Sequence, residues 1–231
     1  MSLPIRDEEH YRETTKCVWK AILEWGKKNL RDYPWRNDTN SYNILIAEVM
    51  LHRTRADQVK PIYESFIKNY PDFKSIINAG LENIRQELYP LGLTWRSDLL
   101  YIMAKDIIER YNGVVPQDKN MLIKLPGVGQ YISSAILCFG YNKKEPVLDT
   151  NVVRVISRLF GKEAKDSSRK NKEFKSIMMD LISYGEPRTF TLSLIDFAAL
   201  ICRSIKPKCD LCSLKEICVY MKIRQNIASA K

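Results

Sequence analysis

Residues 125–131 read LPGVGQY, a short turn with two glycines that is flanked by helical sequence on both sides. A short helix is predicted to end near Lys124, and an apolar helix to begin at Ile132. Gly127 and Gly129 permit a hairpin too tight for side chains, which exposes backbone N–H groups beside a helix N-terminus. Such N–H groups form a cradle for a phosphate oxygen, so the stretch predicts a phosphate-binding hairpin between two helices. The residues of this candidate phosphate-binding hairpin are Leu125, Gly127, Val128, Gly129 and Gln130.

The sequence around the hairpin shows helical periodicity and little strand alternation. It contains no long low-complexity linker and no internal repeat. The predicted fold class is therefore all-α. The predicted helices span residues 17–30, 41–53, 57–70, 81–88, 96–111, 132–138, 151–160, 172–183 and 191–202.

Composition and charge narrow the class of protein. The chain has 231 residues, 45% of them hydrophobic, which is enough for one large core or two smaller ones. No run of eighteen apolar residues and no leader-like segment occurs, so we expect neither membrane spanning nor secretion, and a cytoplasmic location. The formal net charge of +10 indicates an anionic partner, most plausibly a phosphate backbone.

Four cysteines near the C-terminus follow the spacing C-x6-C-x2-C-x5-C. Four thiolates within seventeen residues suit either a tetrahedral zinc ion or a [4Fe–4S] cluster. A zinc ribbon usually offers two C-x2-C pairs, whereas this loop has one, so the spacing favours iron and sulfur. The other two thiols, Cys17 and Cys138, lie in apolar sequence and are expected to be reduced core residues. The predicted metal ligands are Cys202, Cys209, Cys212 and Cys218.

Half of the excess positive charge surrounds this loop. Residues 202–231 hold seven basic and two acidic residues, a net charge of +5. A solvated charged face explains one or two of the lysines, whereas clustering on a metal-pinned loop favours phosphate contacts, for which Lys206 and Lys208 are the candidates.

The hairpin and the cysteine spacing together resemble the helix-hairpin-helix and the iron–sulfur loop of the endonuclease III superfamily of DNA glycosylases. The resemblance covers most of the chain and implies a two-lobed helical fold that holds a [4Fe–4S] cluster. One lobe would span residues 31–141 and hold the hairpin, and the other would join residues 1–30 to residues 142–231. The active site would lie in the cleft between the lobes.

The superfamily's catalytic aspartate matches Asp149, eighteen residues after Tyr131. In the family this carboxylate stabilises the positive charge that develops at C1′ of an extruded nucleotide as the base departs. A carboxylate suits that task because the transition state of N-glycosidic cleavage resembles an oxocarbenium ion. From its position alone, Asp149 could equally be a helix N-cap, and both roles are compatible.

A second carboxylate, Glu48, stands alone in the apolar run 44–51. Burial should raise its pKa and suit it to act as general acid for the leaving base. An ion pair with Arg55 or a hydrogen bond to His52 is the structural alternative. Residues 33–36 (YPWR) and 48–51 (EVML) resemble the adenine and thymine mismatch glycosylases most closely.

Bifunctional members carry a Schiff-base lysine two residues after the last hairpin glycine, where this chain has Tyr131. Tyrosine cannot form the imine, so a monofunctional enzyme is predicted. Tyr131 would pack on the flipped nucleotide or hydrogen-bond near the aspartate; an aromatic residue at a helix start is the simpler interpretation.

The superfamily fills the hole left by a flipped base with a side chain that matches residues 52–54. Thymine mismatch enzymes tend to present an arginine there, which favours Arg53, with His52 beside it; contacts to phosphate alone are the alternative. Residues 91–96 (LGLTWR) depart from the aromatic loop of the adenine enzymes and leave the second wedge unassigned. The adenine enzymes also carry a further C-terminal domain, whereas this sequence ends thirteen residues after Cys218.

The function predicted from the sequence is a monofunctional glycosylase that removes thymine or uracil mispaired with guanine. We expect a monomer that acts on double-stranded DNA. An adenine glycosylase acting opposite guanine or 8-oxoguanine would use the same carboxylates. A glycosylase/lyase would need another amine, and a noncatalytic DNA-binding module would be indifferent to the loss of Asp149.

Overall fold

The computed structural model describes residues 8–92 and 94–229. Within them the chain forms twelve α-helices and no β-strand, which confirms the all-α prediction. Leu93 and Lys231, which enter the sequence arguments above, lie outside the described residues. The helices are α1 (Glu8–Asn29), α2 (Ser41–Leu51), α3 (Ala56–Asn69), α4 (Phe73–Ala79), α5 (Leu81–Leu88), α6 (Trp95–Tyr111), α7 (Lys119–Ile123), α8 (Gln130–Ala135), α9 (Thr150–Phe160), α10 (Lys172–Ser183), α11 (Pro187–Leu200) and α12 (Val219–Ser229).

Two helices, α4 and α12, were not predicted, and α1 begins nine residues before its predicted start at Cys17. The early part of α1 is polar, with an exposed ion pair between Arg12 and Glu8, so it lacks an apolar stripe. Helix α4 has only seven residues and starts at a capping box in which Asp72 accepts from the Ser75 N–H at 2.8 Å and Ser75 Oγ accepts from the Asp72 N–H at 3.2 Å.

The chain divides into two compact units, of which one is Asp32–Lys143. Helix α2 is buried around nearly its whole circumference and packs against α3, α6 and α8. Each large apolar side chain that is fully buried there contributes about 1.5–3 kcal/mol. After α8 the chain forms a wide π-helical turn, Ile136–Gly140, and a Cβ at Gly140 would lie 3.3 Å from the Ser41 Cα. The core of this unit therefore surrounds α2, the helix that carries Glu48.

The second unit is formed by the chain up to Arg31 together with the chain from Lys144 onward. Its principal packing is α1 on α11, where Gly26 lies so close that a Cβ would meet Ser193 Oγ at 1.9 Å. Asp196 of α11 is fully buried and accepts hydrogen bonds from the Arg31 guanidinium and the Arg31 backbone N–H. This paired burial offsets the cost of placing a charge in the core.

The two remaining thiols differ from each other. Cys138 is buried, as expected, but Cys17 is exposed, so its assignment to the core was wrong. The apolar neighbour Val18 is the buried residue at that point of α1, and adjacent helical positions point about 100° apart. Among the described residues, no helix is both long and apolar enough to cross a membrane.

Candidate functional site

The predicted hairpin lies between α7 and α8. Asp118 caps α7 by accepting a hydrogen bond from the Met121 N–H at 3.0 Å. The Val128 N–H donates to the Leu125 carbonyl at 3.1 Å and closes the turn. Leu125 and Val128 are only 2% and 5% exposed. Because these two side chains anchor the turn in the core, only their backbone remains for contact with a ligand.

The two hairpin glycines serve different purposes. Gly127 has a φ of +77°, and a Cβ there would approach Leu99 Cδ1 of α6 to 3.3 Å. Gly129 has an ordinary extended φ of −91°, and no described atom lies within 4 Å of the position its Cβ would take. Gly127 is therefore required by the conformation of the turn. Gly129 instead leaves the outer surface of the turn open to a ligand. Gln130 is exposed beside it.

Glu48 and Tyr131 belong to the same unit as the hairpin, on helices that pack together. Glu48 of α2 is 7% exposed, and Tyr131 of α8 is half-buried. The prediction that Glu48 is buried in an apolar run is confirmed, whereas its role as an acid stays a prediction. The last turn of α2 leads directly from Glu48 to the predicted wedge.

The predicted wedge is a tight turn after α2, in which the Thr54 N–H donates to the Leu51 carbonyl at 3.2 Å. Arg53, at its tip, is exposed and has a φ of +62°, which is uncommon for a residue other than glycine. The His52 ring meets the Trp95 ring edge-on, with centroids 5.8 Å apart. Burial first, and then the charges of Arg53 and Arg96, lower the pKa of His52 below its usual value.

The wedge turn and the hairpin share one pocket of about 100 Å³. Its wall joins the end of α2, the start of α6 and the hairpin, and includes His52, Trp95, Arg96, Pro126 and Gly127. The structure thus brings two of the predicted DNA contacts together within a single unit.

Asp149 lies in the other unit, as the N-cap of α9. Its Oδ1 accepts from the Val152 N–H at 2.7 Å, and its Oδ2 accepts from Asn151 Nδ2 at 2.9 Å. The N-cap interpretation is therefore confirmed. A carboxylate has about four acceptor positions, so these two bonds leave capacity for a ligand.

Sequence reasoning missed two arginines that follow Asp149 on α9. Arg154 donates to Asn151 Oδ1 at 3.0 Å and to the carbonyls of Ala198 and Cys202, each at 2.9 Å. Burial lowers the pKa of Arg154. Its spacing of four from Arg158 puts both on one helix face, but a sequence gives no sign that they point at carbonyls rather than at solvent.

Arg158 holds the start of the cysteine loop, residues 202–218. Its guanidinium donates to the Arg203 carbonyl at 2.7 Å and to the Ser204 carbonyl at 3.1 Å. The same group stacks over the Tyr220 ring at 5.0 Å, and Cys218 Sγ lies 3.4 Å from the Arg158 carbonyl. Two arginines of α9 therefore fix the backbone of this loop.

The four predicted ligands, Cys202, Cys209, Cys212 and Cys218, line one recess together with apolar side chains such as Leu159 and Phe197. Burial raises the pKa of Cys212 to about 11, with further upward effects from the other three thiols, and burial also raises the pKa of Cys218. The described part of the chain contains no group of three or more Cys, His, Asp or Glu side chains that could hold a metal ion. The four predicted ligands therefore lie around the same recess.

The candidate phosphate contacts of this loop are accessible. Lys206 and Lys208 are exposed, and Lys206 has a φ of +48°. The Arg203 guanidinium donates to the Lys206 carbonyl at 3.1 Å. Neither lysine forms an ion pair among the described residues, so both ammonium groups remain available to an anion.

Comparison with known proteins identifies the family of this chain. Residues 46–179 match the HhH-GPD superfamily of base excision DNA repair proteins, which includes the hairpin, Glu48 and Asp149. The chain belongs to this superfamily. It is 36% identical to a thymine/uracil-DNA glycosylase of Methanothermobacter thermautotrophicus, over 89% of this chain and 93% of that protein. The structure of a thermostable thymine-DNA glycosylase superimposes with a TM-score of 0.85 at 34% identity, covering 91% of this chain and 98% of that one.

Adenine enzymes of the superfamily match over a smaller part of their own length. An adenine DNA glycosylase of Buchnera aphidicola is 34% identical over 89% of this chain but only 58% of that protein. The predicted membership in a superfamily of helix-hairpin-helix DNA glycosylases is therefore confirmed.

Proposed function

We propose that the protein is a monofunctional DNA glycosylase of base excision repair that removes thymine or uracil mispaired with guanine. The observation that carries this proposal is its likeness to a thymine/uracil-DNA glycosylase over nearly the full length of both chains. The hairpin, Asp149 and Glu48 supply the groups that the reaction needs.

In this mechanism Asp149 stabilises the sugar cation. As the bond between C1′ and the base nitrogen breaks, positive charge develops at C1′, and a nearby carboxylate lowers the energy of that state. The two hydrogen bonds from Val152 N–H and Asn151 Nδ2 hold the carboxylate in one orientation. Water then forms the new bond to C1′, releases a proton and leaves an abasic site.

Glu48 acts as the acid that protonates the leaving base. A carboxyl group that is 7% exposed on an apolar helix is costly to ionise, so we expect its pKa to be raised. Tyr131 packs against the extruded nucleotide. Because it has no amine, strand cleavage through an imine at this position does not occur.

DNA is held by contacts that do not depend on its sequence. The backbone N–H groups of the hairpin bind phosphate, and Lys206 and Lys208 bind phosphates through charge. Arg53 fills the hole left in the base stack. A protein with a net charge of +10 gains much of its affinity for DNA in this way, and its binding weakens as salt rises. We further propose that it acts as a monomer in the cytoplasm, where DNA is accessible.

The cysteine loop fits a [4Fe–4S] cluster better than zinc. A zinc ribbon usually offers two C-x2-C pairs, whereas this loop has one, Cys209 and Cys212, with Cys202 and Cys218 standing alone. The four thiols line one recess, which suits them to hold such a cluster together. Bound through Cys202, Cys209, Cys212 and Cys218, it would pin the loop that carries Lys206 and Lys208.

An adenine glycosylase is the second candidate, because adenine enzymes of the superfamily are nearly as similar to this chain in sequence. The test is base release from labelled duplexes that carry T:G, U:G, A:G or A opposite 8-oxoguanine, with alkali added only after the reaction. We expect release of thymine or uracil. Release of adenine would move the protein to the second candidate.

Asp149→Asn is the control for this experiment. Asparagine caps a helix about as well as aspartate, so the fold is retained while the negative charge is lost. We expect base release to fall by about a hundredfold or more. No release by the unmodified protein from any of the four duplexes would contradict both candidates, and trapping with borohydride would reveal an amine and contradict the monofunctional assignment.

A further inference from the structure

We propose that Arg96 is a positioning residue that fixes the turn of residues 51–54 and so prepares Arg53 to enter the base stack. This inference rests on the proposed function. It arises from the hydrogen bonds of a buried guanidinium that the catalytic chemistry does not use.

Arg96, the second residue of α6, is 1% exposed. Its Nη1 donates to the Met50 carbonyl at 2.8 Å, and its Nη2 donates to the His52 carbonyl at 2.5 Å. Both nitrogens also lie within 3.2 Å of Thr54 Oγ1. All of its hydrogen bonds among the described residues therefore go to the end of α2 and to the turn that follows.

These bonds enclose Arg53 on both sides. The guanidinium binds the residue before it, His52, and the residue after it, Thr54. Arg53 itself has a φ of +62°, a conformation that is unfavourable for a residue other than glycine. Such a conformation persists only where the surroundings impose it, and Arg96 supplies that constraint.

The burial of Arg96 is itself costly. It forms no ion pair with a carboxylate among the described residues, and its Nε has no hydrogen-bond partner there. A buried charge without a counter-charge is less favourable than an apolar side chain of similar volume, and burial accordingly lowers the pKa of Arg96. A planar group with several donors is nevertheless the side chain that can bind two carbonyls and a hydroxyl at once.

The same end of α6 also supports the hairpin. Leu99, one turn after Arg96, is the side chain that approaches Gly127. The start of α6 therefore holds both the wedge turn and the phosphate-binding turn in place. A turn that is ordered before DNA arrives does not lose further conformational freedom when the base is extruded.

The test compares Arg96→Lys with Arg85→Lys, a control at an exposed arginine that pairs with Asp98. Single-turnover base release is measured on U:G and on uracil opposite a stable abasic analogue, where flipping is less costly because the uracil is unpaired. For Arg96→Lys we expect a loss of about ten- to hundredfold on U:G and a much smaller loss on the unpaired uracil. Equal losses on the two duplexes, or none, would overturn the proposal.

A second measurement does not depend on activity. The Thr54 amide, which is bonded to Leu51, should exchange with solvent faster in Arg96→Lys, and trypsin should cleave after Arg53 sooner. If Arg96→Lys fails to fold, Thr54→Val removes one acceptor of the guanidinium and Thr54→Ser retains it, so only the valine variant should show these effects. Unchanged exchange and cleavage would overturn the role of Arg96, whereas absence of base release in the unmodified protein would contradict the proposed function alone.

Discussion

The hairpin at residues 125–130 and the cysteine loop at residues 202–218 are both candidate DNA contacts, but they are built in opposite ways. The hairpin is closed by its own backbone hydrogen bonds, and its apolar residues are buried in the core. The cysteine loop depends on groups outside it, since Arg154 and Arg158 of α9 donate to its first carbonyls. Its four thiols line one recess.

This difference indicates how each region should respond to an amino-acid substitution. A turn that is closed by its own backbone hydrogen bonds should tolerate changes in the cysteine loop and be most sensitive to substitution of Gly127, the glycine with a positive φ. A loop that is held by hydrogen bonds from another helix should become less ordered when any one of those bonds is removed. The loss of a bound cluster should have the greatest effect on its order. The predictions below separate these two behaviours.

Cys209→Ser should have the largest effect, because free energy of metal binding is also free energy of folding for such a loop. We expect the protein to lose iron and its absorbance at about 400 nm, and amides in residues 202–218 to exchange faster. Amides of the hairpin should keep their protection. Binding to undamaged DNA should weaken as Lys206 and Lys208 lose their fixed positions.

Cys17→Ser is the matched control, since Cys17 is exposed on α1 and lies outside the recess. It should retain iron and leave both regions unchanged. Equal iron content in the two variants would contradict the ligand assignment, and loss of protection in both regions together would contradict the contrast between them. Zinc in place of iron in the unmodified protein would show that the cluster was misassigned.

The same contrast explains which features of the structure could be predicted from the sequence. The hairpin, the N-cap at Asp149 and the buried run around Glu48 are local patterns, and each could be recognised from neighbouring residues. The cysteine spacing is local as well. The roles of Arg96, Arg154 and Arg158 were not predictable, because an arginine that binds carbonyls forty or more residues away has no sequence signature.

Errors in the helix assignment have the same origin. Helix α4 is short and begins with an aspartate and serine box rather than the usual pattern, and the start of α1 is polar. Cys17 was placed in the core because its neighbours are apolar, although the burial of a helical residue depends on its face and not on its neighbours.

Gly127→Ala and Gly129→Ala should separate folding from binding within the hairpin. At Gly127 the positive φ and the contact with Leu99 should cost about 1–2 kcal/mol and lower the thermal midpoint. At Gly129 the backbone is extended and the space is open, so stability should change by less than about 0.5 kcal/mol or rise. DNA binding should nevertheless weaken there, because a methyl group would separate a phosphate from the backbone. If Gly129→Ala lowered stability as much as Gly127→Ala, the two glycines would not have the separate roles assigned to them.

Arg158→Lys should have a smaller effect than the substitutions of Cys209 and Gly127, because the Arg203 and Ser204 carbonyls that it leaves belong to exposed residues. Lysine keeps the charge but cannot donate to the Arg203 and Ser204 carbonyls at once, so we expect a loss of about 1 kcal/mol. Arg224→Lys is the control, because its guanidinium also lies over the Tyr220 ring, at 5.6 Å, and forms no hydrogen bond to the cysteine loop among the described residues. Faster release of iron to a chelator in Arg158→Lys, with unchanged release in Arg224→Lys, would assign the effect to the hydrogen bonds from Arg158 to the carbonyls. Equal release in both variants would instead assign it to the aromatic contact, and the cysteine loop would then depend on packing as the hairpin does.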